Sequence, residues 1–258
     1  MPLVVVDPGH GGRDPGTVGN GLQEKDVTLD AALKLREALE RCGIDVIMTR
    51  TEDTLILPNG TIGEDLSARA AIANRNNADL FISWHVDSFS DPGVNGVAAW
   101  IYPTTRGTET EVIAEKIVNS VAQATGQRNR GVYVADFAVL RETNMSAVLI
   151  ESGFITNPQE AANLASAAFR EAQAEAAARA ICKYFNLPFV PPADPVDPPT
   201  EPEPIPEWAR EAIARVQNAG IMIGYEDGTF RPEQYVTRAE LAVVLVRFYE
   251  LLQSGRTL

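Results

Sequence analysis

The chain has 258 residues, 45% of them hydrophobic and 22% charged, with a formal net charge of −13 and a pI of about 4.6. That length suffices for one sizeable domain and a small one, and the acidity argues against a nucleic-acid partner, because phosphate binding needs a basic face. No apolar run approaches the ~20 residues of a membrane span, and the start of the chain lacks the charged and long apolar regions of a signal peptide.

In chain order, Leu3-Val4-Val5-Val6-Asp7-Pro8-Gly9-His10 reads as a buried strand closing on a histidine. Leu29, Ala32, Leu35 and Leu39 recur at helical steps and predict a helix over 27–41, with Asp26 as its N-cap. Ile44 to Met48 reads as a strand, 66–76 as a helix, and 80–84 as a second buried strand closing on His85. Residues 97–101 read as a strand and 108–125 as a helix. Residues 147–150 form the last predicted strand, with Glu151 directly after it, and one long Ala-rich helix follows over about 159–185. Alternation of strand and helix implies an α/β fold, with a mainly parallel sheet covered by helices on both faces.

Residues 191–206 hold eight prolines, four acids and no basic residue. Such a stretch favours the polyproline form at ~3.1 Å per residue, a reach of roughly 50 Å. It divides the chain into a first domain at 1–188, a linker at 189–205 and a small, mostly helical second domain at 206–258. In that second domain, a helix with Trp208, Ala209, Ile213 and Val216 ends at Gly220, a fitting C-cap. The turn Gly224-Tyr225-Glu226-Asp227-Gly228-Thr229-Phe230-Arg231-Pro232 follows. Thr237 and Glu240 then satisfy a capping box for a last helix.

The candidate chemistry lies in the first domain. His10 and His85 are the only two histidines, and both sit at predicted strand ends. In open α/β sheets, ligands gather beyond the carboxyl ends of the strands. Imidazole is also the commonest metal ligand. Glu24 lies just before the first predicted helix and could converge with them. Spacing alone does not choose it over Asp7, Asp14 or Asp26. Cys42 and Cys182 have no metal-like spacing and read as small buried hydrophobes rather than a disulfide or ligands.

Four ordered stretches carry a family resemblance: Val4-Val5-Val6-Asp7-Pro8-Gly9-His10-Gly11-Gly12; Glu24-Lys25-Asp26; Ser83-Trp84-His85-Val86-Asp87-Ser88; and Val148-Leu149-Ile150-Glu151-Ser152-Gly153-Phe154-Ile155-Thr156-Asn157. With Met48-Thr49-Arg50, Leu66-Ser67-Ala68-Arg69 and Val139-Leu140-Arg141, they make residues 2–186 resemble the zinc-dependent N-acetylmuramoyl-L-alanine amidases of the amidase-3 type. The resemblance implies that His10, Glu24 and His85 hold Zn2+. It implies that Glu151 takes a proton from the attacking water and gives it to the leaving amine. Asp87 could orient a ligand histidine, and Trp84 could reshape the cleft. A strand-end Glu151 could also simply pair with Arg141.

The second domain resembles a surface-layer homology module in its Glu-Trp-Ala start, its glycine-rich turn and its Thr-Arg-Ala-Glu tetrad. The resemblance implies binding of secondary cell-wall polysaccharide. Arg238 is suited to pairing with a ligand carboxylate, and Trp208 either to stacking on sugar or to the small core. It also leaves room for self-association through this module. The implied enzyme hydrolyses peptidoglycan at the bacterial cell wall. It would reach the wall by lysis after cytoplasmic synthesis, or after loss of a leader. The rivals are another zinc peptidase acting within the stem peptide and a non-catalytic wall-anchoring protein.

Overall fold

The computed structural model describes residues 1–192, 205–225, 229–232, 236 and 238–253. The chain divides into two compact units, Met1–Pro192 and Ala193–Leu258.

In the first unit the order is β1 (Leu3–Pro8), β2 (Val18–Gly19), β3 (Leu22–Gln23), α1 (Glu24–Arg41), β4 (Asp45–Met48), α2 (Ile62–Arg75), β5 (Leu80–Asp87), β6 (Val97–Ile101), α3 (Glu109–Thr125), β7 (Asn129–Val134), α4 (Ala138–Arg141), β8 (Ser146–Phe154), α5 (Pro158–Ala165) and α6 (Ala167–Tyr184). Six strands form one sheet in the order β4-β1-β5-β8-β6-β7. All pairings are parallel except that between β6 and β8. Successive side chains of a strand point to opposite faces. On one face Val4, Val6, Leu80, Ile82, Val148 and Ile150 pack under α1, α3 and α6. On the other, Val5, Phe81, Ala147 and Leu149 pack with Val139 and Leu140 of α4 and Ala73 of α2. Each fully buried aliphatic side chain stabilises by roughly 1.5–3 kcal/mol, so this double core anchors the strands that carry the site.

Several elements differ from the sequence expectation. Helix α1 begins at Glu24, three residues before the predicted start, and Gln23 caps it without a side-chain hydrogen bond. Asp26 is therefore not the cap. Main-chain carbonyls replace one: Glu24 N donates to Thr17 O and Lys25 N to Pro15 O. Strands β5 and β8 run past their predicted ends, so His85 and Glu151 lie within strands. The long Ala-rich helix is two helices, broken where Ser166 turns extended (φ −78°, ψ 122°) and its side chain caps Phe169 N. Strand β7 and the single-turn α4 were not foreseen. Trp84 is fully buried in the main core, so it does not shape the cleft.

Cys42 and Cys182 are buried and free, both within the main core. Burial, with Cys42 beside it, pushes the Cys182 thiol up to about 12. Cys42 Sγ accepts a hydrogen bond from Val190 N at 3.2 Å, and Arg179 stacks on Phe189 at 4.0 Å. These contacts tie the segment after α6 to the first unit.

In the second unit, a 3₁₀ turn at Glu207–Ala209 leads into α7 (Arg210–Asn218). Gly220 adopts φ +71° just past that helix. Gly220 N donates to Gln217 O and Ile221 N to Val216 O, closing the helix end. Helix α8 spans Arg238–Gln253. The expected linker core (193–204), the turn residues Glu226–Gly228 and the capping residue Thr237 lie outside the described residues, as does the side chain of Arg238. No helix among the described residues is long and apolar enough to cross a membrane.

Candidate metal centre

Three predicted ligands from distant parts of the sequence meet above β1 and β5. His10 lies two residues beyond β1, Glu24 opens α1, and His85 lies within β5. One donor atom from each falls within 4.8 Å of the others, the one such group among the described residues. His10 Nε2 is 3.2 Å and His85 Nδ1 2.9 Å from the same oxygen, Glu24 Oε1. That oxygen also accepts from Val86 N at 3.0 Å, and Oε2 accepts from Thr17 N at 2.8 Å. The carboxylate is thus fixed by main chain on both oxygens, leaving the two imidazoles to converge on it. Two nitrogens and one carboxylate suit zinc, whose catalytic sites use three protein ligands and keep a position open.

Glycines make the approach possible. A Cβ on Gly9 would lie 2.3 Å from His85 Cε1, and one on Gly16 2.6 Å from Glu24 Oε2. His10 itself sits in the left-handed region at φ +62°, a conformation costing an L-residue about 1–3 kcal/mol unless its surroundings enforce it.

Here two arginines enforce it. Arg50 donates to Pro8 O (3.0 Å) and Gly9 O (2.9 Å). Arg69 donates to Pro8 O (2.7 Å) and His10 O (2.8 Å). Arg69 is also paired at 2.8 Å with both Asp7 and Asp65, and Asp7 further accepts from Thr49 and Ser83. Burial would raise the Asp7 pKa, but the Arg69 charge and the two hydroxyl bonds hold it below its ordinary value. Removing one partner from so buried a cluster typically costs about 3–5 kcal/mol.

The electrostatics follow from this packing. Burial works to raise the Glu24 pKa, yet hydrogen bonds and charge from His10 and His85 carry it far below the usual carboxylate range. Burial would lower that of His10, but Glu24 and Asp14 outweigh it and raise it. Asp14 Oδ2 lies 2.8 Å from His10 Nδ1, which leaves Nε2 to face the centre.

Glu151 projects from β8 beside the centre. It is partly buried, and its Oε2 is enclosed without a hydrogen-bond partner among the described residues. Burial first, then the nearby charges of Glu24 and Asp87, raise its pKa well above the ordinary value. Arg141 pairs with Asp136 and Glu142 instead of Glu151. A cleft of about 530 Å³ opens over these groups, with Glu151, Asp87, Thr17, Phe137 and Leu149 in its walls.

The four carboxylates left open by spacing are thereby separated. Glu24 meets both histidines, Asp7 serves the buried arginine cluster, Asp14 orients His10, and Asp26 faces solvent. Asp87 does not orient a histidine; its carboxylate accepts from Ser88 N at 2.7 Å. Asp14 was weighed only as a rival to Glu24, and Arg50 and Arg69 only as parts of family motifs; the support they give His10 and the chain leading to it was missed. The one sequence signal for Asp14 was its place four residues after His10.

Fold and donor set define a zinc-dependent hydrolase on a mixed, mostly parallel α/β sheet. Residues 4–183 match the N-acetylmuramoyl-L-alanine amidase family, and residues 203–242 match the S-layer homology domain. The chain therefore belongs to the N-acetylmuramoyl-L-alanine amidase family and carries an S-layer homology module. It is 39% identical over 189 residues to the sporulation-specific N-acetylmuramoyl-L-alanine amidase of Bacillus subtilis, covering 72% of this chain and 69% of that protein. The catalytic domain of the amidase CwlV from Bacillus (Paenibacillus) polymyxa superposes with a TM-score of 0.65 at 31% identity, over 73% of this chain and all of that one. An N-acetylmuramoyl-L-alanine amidase of Nostoc punctiforme gives 0.64 at 37% identity, over 72% and 97%.

Proposed function

We propose that His10, Glu24 and His85 hold one zinc ion, and that Glu151 moves the proton in hydrolysis of the amide between N-acetylmuramic acid and the L-alanine of the stem peptide. One observation carries this reading: three converging donors stand beside a carboxylate whose enclosed oxygen has no hydrogen-bond partner among the described residues. Bound there, zinc supplies a Lewis acid that polarises a carbonyl and acidifies a water.

The chain's own residues do the rest. Glu151, with its raised pKa, is poised to accept the proton of the attacking water and then deliver it to the leaving amine. Glu24 stays ionised and fixed by Thr17 N and Val86 N. Asp14 holds His10 in the tautomer that presents Nε2.

The second unit anchors this chemistry to the wall. Within the proposed division, residues 1–188 catalyse, 189–205 connect and 206–258 bind secondary cell-wall polysaccharide. Trp208 is 86% exposed, so it is not core and offers a face for a sugar ring. Arg238 opens α8 and supplies a guanidinium for a ligand carboxylate. A cavity of about 370 Å³ within this unit is walled mainly by apolar side chains, Met222, Ile223, Phe230 and Val243 among them, with Arg231 and Arg247 as its two cations. Leu241, Leu245 and Leu252 of α8 are exposed along one stripe, which favours self-association as a second role. The test is elemental analysis combined with turnover. Active protein should carry one zinc, lose lysis on chelation and regain it with zinc. Active protein free of metal would refute the reading.

A further inference from the structure

Both histidines of the centre are gripped by their main-chain carbonyls as well as by their rings. The His10 carbonyl accepts from Arg69 Nη2 at 2.8 Å. The His85 carbonyl accepts from Ser152 Oγ at 2.9 Å. Arg69 and Ser152 come from different elements, α2 and β8, and are 2% and 0% exposed. Neither is a donor in the metal group.

Each contact falls at a place where regular ladder bonding is absent or interrupted. His10 holds φ +62° outside any ladder. At His85 the pairing of β5 with β8 shifts register between His85 and Asp87, so regular sheet bonding breaks there. The Ser152 hydroxyl supplies a donor at that break. Ser152 is itself immobilised, because its carbonyl accepts from Gln127 Nε2 at 2.9 Å and Gln173 Nε2 at 2.6 Å. Arg69 is fixed by Asp7 and Asp65.

We propose that Arg69 and Ser152 are positioning residues that set zinc affinity by fixing the main chain of the two histidine ligands. This rests on the ligand assignment proposed above. A centre with three protein ligands depends on each donor being pre-placed, and groups that orient ligands without touching the metal typically govern affinity by about 10- to 100-fold.

The test uses the full chain stripped of metal. Zinc affinity is measured by competition with a chromophoric chelator, and the unfolding temperature of the zinc-free protein is measured alongside. Ser152→Ala removes one grip with little change in volume. Arg69→Lys keeps the buried charge but loses the planar fork that reaches two carbonyls. Asn74→Ala is the control, because Asn74 bridges Glu142 O and Asn144 N and contacts neither histidine.

Ser152→Ala and Arg69→Lys are expected to weaken zinc by about 10- to 100-fold and to alter the visible spectrum of the cobalt-substituted protein. Asn74→Ala is expected to lower the unfolding temperature and leave zinc affinity unchanged. Wild-type affinity in both site variants overturns the proposal, as does an equal loss in Asn74→Ala. If Arg69→Lys fails to fold, Ser152→Ala decides alone. His10→Ala titrated in parallel separates the two levels: undiminished zinc binding there refutes the ligand assignment itself, and this proposal with it.

Discussion

Glu151 is the register partner of His85 across β5 and β8. Register partners on neighbouring parallel strands project to the same side of the sheet, so the sheet itself places the proposed proton carrier one strand away from a proposed zinc ligand. Glu151→Gln should therefore fold and keep its zinc while losing roughly 10²-fold or more in turnover, the usual scale of acid–base contributions. Metal content and single-turnover rates check this. Near-normal turnover in a zinc-loaded variant contradicts it, and loss of zinc would make Glu151 a ligand.

The same residue gives a pH-dependent stability effect. Its folded pKa lies above the ordinary 4.5, from burial and then from Glu24 and Asp87. For a carboxyl group this sign means that the fold disfavours the charged form. The penalty is absent below the unfolded pKa, grows as pH rises through the interval, and is complete above the folded pKa. Zinc-free Glu151→Gln should then unfold at a higher temperature than zinc-free wild type at neutral pH. The difference should vanish below the ordinary carboxylate pKa. Thermal scans across that range decide the point; a variant less stable at neutral pH would contradict it.

Asp14 and His10 set a second dependence. Asp14 holds His10 Nδ1 at 2.8 Å, and carboxylates in this position fix the tautomer and basicity of ligand histidines. Asp14→Ala should reduce zinc affinity by about 10- to 100-fold without removing a ligand. Isothermal titration of the metal-free protein measures it, and wild-type affinity would count against the role.

The targeting module is tested by cutting the chain after Pro192, where the first compact unit ends. The shortened protein should fold, bind zinc and cleave soluble muropeptides near the full-length rate. On intact walls at low concentration it should be slower, because tethering raises the local concentration of enzyme. Trp208→Ala and Arg238→Ala should reproduce part of that loss in a pelleting assay, with no change on soluble substrate. A shortened protein that pellets with walls as well as the full chain would rule out targeting by this module.

The strand–helix alternation and the strand-end places of His10, His85 and Glu151 were legible because apolar runs are local signals, whereas Glu24 was singled out only by the family resemblance. The arginine cage was not legible. Arg50 and Arg69 act on Pro8, Gly9 and His10, contacts across long sequence separations that no periodicity reveals. The start of α1 was misplaced because its first donors are met by the carbonyls of Pro15 and Thr17 rather than by a side chain. The break before α6 was missed because alanine continues the helical pattern through it and only the Ser166 cap marks it. Strand β7 carries Gly131 at φ +84° and partly exposed side chains, so it lacks the apolar run that betrays a buried strand.

The most direct measurement is mass spectrometry of purified peptidoglycan digested by the zinc-loaded protein. The account predicts stem peptides with a free L-alanine amino group and glycan carrying muramoyl carboxylates. That pattern should disappear with a chelator, return with zinc, and be absent with Glu151→Gln. Peptides cut between amino acids, with L-alanine still attached to the sugar, would contradict it.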